Sequence, residues 1–228
     1  MISQNLLKRL ITSIILLSLL IFINFSHQYI FIISILIIGL IICYEANNLF
    51  LKLLTKKYSK KKFSINKLNI NFIILNTITF SYIFFVFCNL SYEIHRSESP
   101  IFFLYVISIC FFTDIGGYVF GKVIGGKKLS KISPNKTVAG SVGSFILSII
   151  PLIIVLNFNY LDLEFNLTNI MFCLLISLIS QIGDLFISLI KRKAKTKDTG
   201  SLLPGHGGIL DRVDGIIFAV PFSYFLLK

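Results

Sequence analysis

The stretch INFIILNTITFSYIFFVFCNL, residues 70–90, runs without a single charged side chain. A hydrocarbon core of about 30 Å takes roughly 20 apolar residues of α-helix, so this segment has the length and character of a membrane span. Just before it lies a lysine cluster, residues 52–67, with KKYSKKK at 56–62; just after it, residues 91–100 carry Arg96 as their one Lys or Arg. An apolar run with a strongly basic flank on one side only is what the positive-inside bias of membrane insertion produces.

The same pattern repeats outward in both directions. Further apolar runs occur at about residues 10–25, 29–43, 101–120, 142–158, 170–190 and 209–227, which makes seven with the first. Lys8 and Arg9, then residues 52–67, 122–136 and 191–197 form basic loops, and these alternate with loops poor in Lys and Arg at 26–28, 91–100 and 159–169. If every run spans, all the basic loops fall on one face; leaving out an internal span would scatter lysines onto both. The expected fold is therefore all-α, a polytopic transmembrane helix bundle of about seven spans with a cytoplasmic N-terminus. Residues 1–100 would supply N-terminal helices and a Lys-rich cytoplasmic loop, and residues 101–228 a catalytic transmembrane region. Lys8 and Arg9 ahead of the first run imitate a signal peptide, but no small-residue cleavage site follows, and the run reads as an uncleaved helix.

Composition agrees. The 228 residues are 55% hydrophobic and 14% charged, against roughly 25% charged in soluble domains, and the mean hydropathy is +0.86. A net charge of +12 would suggest nucleic acid on a soluble face. Here the cations sit in the gaps between apolar runs, so no nucleic-acid partner is expected, and a basic rim attracts anionic headgroups and nucleotide phosphates by roughly 1 kcal/mol per residue. Cys43, Cys88, Cys110 and Cys173 lie singly in apolar stretches without C-x-x-C spacing, which reads as packing rather than redox or metal chemistry.

Three polar features break the apolar pattern. The first begins TDIGGYVFGKVIGG at Thr113 and places Asp114 in an apolar run. A carboxylate at membrane depth costs roughly 2.5 to 3.5 kcal/mol on an insertion scale and usually faces a partner or a polar cavity. Gly117, Gly121 and Gly125, at four-residue spacing, suggest close helix packing. Residues 116–122 also imitate a Walker A motif, but Val123 stands where the Ser or Thr should be and no strand precedes, so the match is rejected. In the following loop, Ser133-Pro134-Asn135-Lys136-Thr137 is a turn whose hydroxyls, amides and lysine could cradle a polyphosphate.

The second feature is Asp184 in QIGDLFIS, residues 181–188. On a helix, Ser188 and Lys191 follow it on the same face. The third is the segment 191–215, which packs Lys191, Arg192, Lys197, Asp198, His206, Asp211, Arg212 and Asp214 among Gly200, Pro204, Gly205, Gly207 and Gly208. Glycine and proline force irregular backbone there and make amides available. Asp214 could equally complement a helix N-terminus. Carboxylate oxygens suit Mg²⁺, which takes one or two carboxylates plus substrate phosphates, so Asp184 and Asp211 could share an ion. His206 has no companion ligands for zinc and reads as a loop or phosphate-contact residue.

With these residues assembled, SLIKRKAKTKDTGSLLPGHGGILDRVDG, residues 188–215, resembles the signature of the phosphatidate cytidylyltransferases, preceded in order by the blocks at Thr113 and Ser133. The resemblance covers roughly the second half of the chain. It implies transfer of a cytidylyl group from CTP to phosphatidic acid with Mg²⁺, giving CDP-diacylglycerol and pyrophosphate in phospholipid biosynthesis. It further implies metal binding by Asp184 and Asp211, catalytic roles for Lys191, Arg192, Lys197, Asp198, His206, Arg212 and Asp214, and nucleotide contacts from Asp114, Ser133, Lys136 and Thr137. The partners expected are CTP, phosphatidic acid and membrane lipid, and a second copy of the chain. The expected location is a bacterial inner membrane, with the site on the cytoplasmic side. A CTP-dependent lipid kinase would use similar nucleotide contacts but lacks the long HGG-x-x-DR-x-D run, and a transporter would place its polar groups near the midplane rather than at the rim.

Overall fold

The computed structural model describes residues 4–59, 65–130, 133–203 and 207–227. It is built of helices: α1 (Gln4–Phe25), α2 (Gln28–Ser59), α3 (Ile65–Ser81), α4 (Asn89–Ser97), α5 (Pro100–Val123), α6 (Val138–Leu147), α7 (Ile150–Phe158), α8 (Leu167–Ala194), α9 (Leu210–Val213) and α10 (Ile216–Leu227), with a π-helical segment, Tyr82–Cys88, joining α3 to α4. Among the described residues extended pairing is confined to two isolated bridges, Lys128 with Thr137 and Leu203 with Gly207. Five helical stretches are long and apolar enough to cross a membrane, at residues 28–55, 70–97, 100–123, 138–158 and 167–194. The protein is an all-α, polytopic integral membrane protein, as the alternation of apolar runs and basic loops implied.

The first run lies within the 22-residue α1. The last, expected to be continuous over 209–227, breaks into the four-residue α9 and the twelve-residue α10. The cause is local. The Asp214 carboxylate accepts a hydrogen bond from the Gly215 amide at 3.0 Å, a side-chain bond that competes with helix continuation.

The chain divides into two compact units, Met1–Tyr92 with Ile190–Val213, and Glu93–Leu189 with Asp214–Lys228. In the first, α2 is the central element. Its Gly39 lies so near the π-helical segment that a Cβ there would meet Cys88 Sγ at 2.9 Å and Ile83 at 3.1 Å. The segment 190–213 groups with these N-terminal helices rather than with the rest of the chain beyond residue 100, because Glu45 of α2 anchors it, as described below.

In the second unit α5 opens on Ser99, whose hydroxyl caps the Phe102 amide at 3.0 Å, with Pro100 in the first turn. Buried hydroxyls tie it to neighbouring helices: Thr113 donates to Ser177 of α8 at 2.9 Å, and Ser144 of α6 donates to the Thr113 carbonyl at 2.7 Å. The α5–α6 contact is glycine against glycine. A Cβ on Gly116 would strike the Gly143 carbonyl, and one on Gly143 would enter the Phe120 ring. Small residues of this kind let membrane helices approach closely. Gly117 and Gly121 share this face, as their spacing suggested. Gly125 does not: it has φ of +66°, nothing lies within 4 Å of its Cβ position, and it serves the turn after α5. The Walker-like residues 116–122 lie within helical α5, not in a phosphate-binding loop.

Replacing Gly143 by leucine should therefore separate α5 from α6, with overpacking costing at least about 1–3 kcal/mol. Thermal unfolding in detergent should show a lowered midpoint, whereas Gly125→Asn, which tolerates a positive φ, should leave it nearly unchanged.

Candidate active site

The second unit holds a cavity of about 330 Å³ where α5, α6, α8 and the loop before α6 converge. Asp114 reaches it from α5, Asp184 and Gln181 from α8, and Ser133, Lys136 and Thr137 from the loop. The local sequence fixes that loop. The Leu129 amide donates to the Lys136 carbonyl at 2.8 Å and the Val138 amide to the Lys127 carbonyl at 2.9 Å, closing a small antiparallel loop, and the Lys136 amide turns back to Ser133 at 3.1 Å. Thr137 then caps α6, its hydroxyl accepting from the Gly140 amide at 3.0 Å. Lys136 consequently stands beside the positive end of a ten-residue helix.

Its ammonium is paired with Asp184. Ser188, one turn further along α8, donates to the other carboxylate oxygen of Asp184 at 3.2 Å, as the i, i+4 spacing predicted. Ser141 donates to Gln181 at 2.6 Å and so links α6 to α8 at the cavity wall. Four residues assigned to the nucleotide from sequence, Asp114, Ser133, Lys136 and Thr137, thus line one cavity with Asp184. No signal in the sequence had singled out Ser141, in the first turn of α6, or Gln181, in the middle of α8.

The first unit holds Lys191, Arg192, Lys197, Asp198, Asp211 and Arg212. Asp211 is 6% exposed at its side chain and saturated with donors. Its Oδ1 accepts from Lys191 Nζ at 2.7 Å; its Oδ2 accepts from the Thr199 amide at 2.7 Å, the Gly208 amide at 3.0 Å and lies 3.0 Å from the Thr199 hydroxyl. Arg192, Lys197, Asp198 and Arg212 are exposed, and His206 lies outside the described residues. Asp214, in the second unit, bonds the Gly215 amide.

Sequence reading missed Glu45. Its carboxylate, 1% exposed, accepts from the Thr199 hydroxyl at 2.8 Å, the Ile209 amide at 3.1 Å and the Leu210 amide at 2.9 Å. The signal was present: GLIICYEANNLF, residues 39–50, sets an acid in an apolar run, the same anomaly that marked Asp114 and Asp184.

Burial alone would push the Asp211 carboxyl up, but the hydrogen bonds from Lys191, Thr199 and Gly208 outweigh it and hold the group below its ordinary value. Because the folded value is depressed, the stabilisation is fully present above about pH 4, the unfolded carboxyl range, and is lost as pH falls through the folded value. A ¹³C-carboxyl titration in micelles, assigned with Asp211→Asn, should place its midpoint below about 3.9.

The donor set suits a hard cation. Asp114 and Asp184 face one cavity whose other polar groups are hydroxyls, amides and a lysine, without sulfur or imidazole. Among the described residues no three His, Cys, Asp or Glu side chains cluster to hold a metal by themselves. An ion here would complete its shell with substrate oxygens, the usual manner of Mg²⁺ with phosphates. Asp184 and Asp211, expected to share an ion, belong to different units, and each carries a lysine within its own.

A family model described as the cytidylyltransferase family matches residues 46–228. The chain belongs to the cytidylyltransferase family. Its relatives include the phosphatidate cytidylyltransferase of Staphylococcus haemolyticus (strain JCSC1435), 44% identical over 137 residues, which are 58% of this chain and 51% of that protein. That of Staphylococcus aureus (strain COL) is 43% identical over 134 residues, with the same 58% and 51% coverage. That of Staphylococcus saprophyticus is 40% identical over 136 residues, again 58% and 51%. The chain spans about half the length of the curated relatives it matches. The cytidylyltransferase match begins one residue beyond Glu45 and takes in both the cavity residues and the 190–213 segment.

Proposed function

We propose that this chain transfers the cytidylyl group of CTP to phosphatidic acid, forming CDP-diacylglycerol and pyrophosphate, at the cytoplasmic face of a bacterial inner membrane. The observation that carries the reading is the single cavity in which Asp114, Asp184, Ser133, Lys136 and Thr137 meet. The relatives' shared name supplies the lipid acceptor, and the Lys-rich loops supply the orientation.

In the proposed reaction a phosphatidate oxygen forms a bond to the α-phosphorus of CTP, and the α–β anhydride bond breaks, its electron pair leaving with pyrophosphate. The attacking oxygen is already an ionised phosphomonoester, so no strong general base is needed. The obstacle is charge: two polyanions must meet, and more charge develops on the leaving group. Lys136 exchanges the Asp184 carboxylate for phosphate oxygens as CTP enters. The hydroxyls of Ser133 and Thr137, which line the same cavity by the positive end of α6, add hydrogen bonds to the same phosphates. Asp184 and Asp114 would then hold Mg²⁺, which supplies Lewis-acid polarisation of the phosphoryl oxygens. In the first unit, Arg192, Lys197 and Arg212 are exposed cations, and the Asp211 carboxylate is already paired with Lys191.

The test is purified protein in detergent with CTP labelled in cytidine, Mg²⁺ and phosphatidic acid. Cytidine should enter the lipid phase with one pyrophosphate released per lipid. Label that stays wholly in water while phosphate passes to a lipid alcohol would identify a lipid kinase instead.

A further inference from the structure

We infer that Glu45 and Thr199 form a buried strut that positions Asp211, so that a residue on α2 governs the signature loop. Glu45 is 1% exposed and Thr199 is 3% exposed. The Glu45 carboxylate receives the amides of Ile209 and Leu210 as they enter α9, the turn that carries Asp211. The loop is shaped around this carboxylate: a Cβ at Gly200 would lie 2.6 Å from Glu45 Oε1, and one at Gly208 would collide with both Glu45 oxygens and the Thr199 hydroxyl.

Thr199 makes the link to Asp211. Its hydroxyl lies 2.8 Å from Glu45 Oε2 and 3.0 Å from Asp211 Oδ2. A hydroxyl has one proton, so Thr199 donates to one carboxylate at a time and lies between the two as the polar spacer that keeps them in place. Its own amide meanwhile donates to Asp211 at 2.7 Å. Removing the hydroxyl leaves two carboxylate oxygens facing an apolar methyl, with the lost donor uncompensated. Glutamine cannot substitute for Glu45, because both its oxygens accept from N–H or O–H donors and an amide NH₂ would oppose one of them. Glu45 and Thr199 are thus positioning residues acting through Asp211. Their effect on turnover rests on the function proposed above; the strut itself does not.

The variants Thr199→Val, Thr199→Ser and Glu45→Gln, made in the full chain in nanodiscs, separate the two. Hydrogen exchange of peptides covering 207–213 should accelerate at least about tenfold in Thr199→Val and Glu45→Gln, return to the parent rate in Thr199→Ser, and stay unchanged over 138–158 in all three. The Mg²⁺ concentration giving half-maximal CTP turnover should rise in the first two and recover in the serine variant. Unchanged exchange at 207–213, or a serine variant indistinguishable from the valine one, overturns the strut. Should Glu45→Gln fail to insert, the valine and serine pair decides alone. A parent protein without cytidylyl transfer would overturn the proposed function, while the exchange result still decides the strut.

Discussion

Asp184→Asn should lower cytidylyl transfer by at least about 10²-fold, the scale seen when one preorganised electrostatic group is removed from a reacting centre. The residue holds two positions at once. It is the counter-charge of Lys136, and with Asp114 it is one of two carboxylates facing the cavity. Asparagine keeps the shape but gives neither the charge that pairs with Lys136 nor the hard anionic oxygen that Mg²⁺ takes. The substitution also strands a partly buried ammonium, since the Lys136 side chain is 32% exposed, so stability should fall as well. The double variant Lys136→Met, Asp184→Asn separates the two effects: it removes both charges and should recover much of the thermal midpoint while turnover stays lost. Ser188→Ala, which deletes one 3.2 Å hydrogen bond to the Asp184 carboxylate, should cost about 1.5–3 kcal/mol at most in either measurement. Full turnover in Asp184→Asn would remove this carboxylate from the reaction.

What could be read from the sequence divides along a physical line. Depth in the membrane was legible, because a carboxylate in an apolar run is costly and conspicuous; Asp114 and Asp184 were found that way and both reach the cavity. The turn at Ser133–Thr137 was legible from its Pro, Asn and hydroxyl chemistry, and it does cap α6. Rotation and neighbourhood were not legible. Hydropathy gives the level at which a side chain sits, not which helix it faces, so it did not reveal that Asp184 shares a cavity with Asp114 within its own unit. Glu45 shows the same limit: its place in an apolar run was conspicuous, but nothing local in residues 39–50 reveals that the Leu210 amide, 165 positions away, needs an acceptor. Gly125 was grouped with Gly117 and Gly121 by spacing alone, yet its positive φ belongs to the turn after α5.

Asp211→Asn should abolish Mg²⁺-dependent turnover while leaving the protein inserted, and the loss should come with a loosened loop. The carboxylate takes Lys191 on one oxygen and Thr199 and Gly208 donors on the other. An asparagine has two orientations, and each puts NH₂ against a donor: the Lys191 ammonium in one, the Thr199 and Gly208 amides in the other. Each donor left unpaired in a buried place costs about 1–3 kcal/mol, more where the donor is charged. Gly207, at φ of +83° with its Cβ position 2.9 Å from Asp211 Oδ2, leaves no slack for a rearranged side chain. The damage should stay within the loop, because α2 and α8 are long apolar helices whose insertion does not depend on one polar contact. Size-exclusion behaviour in detergent should match the parent, while hydrogen exchange over 207–213 rises and cytidylyl transfer falls below detection. Adding Lys191→Met to Asp211→Asn removes the stranded ammonium and should restore part of the exchange protection. It should not restore turnover if the carboxylate itself serves the reaction, and recovered turnover in that double variant would reduce Asp211 to a loop anchor.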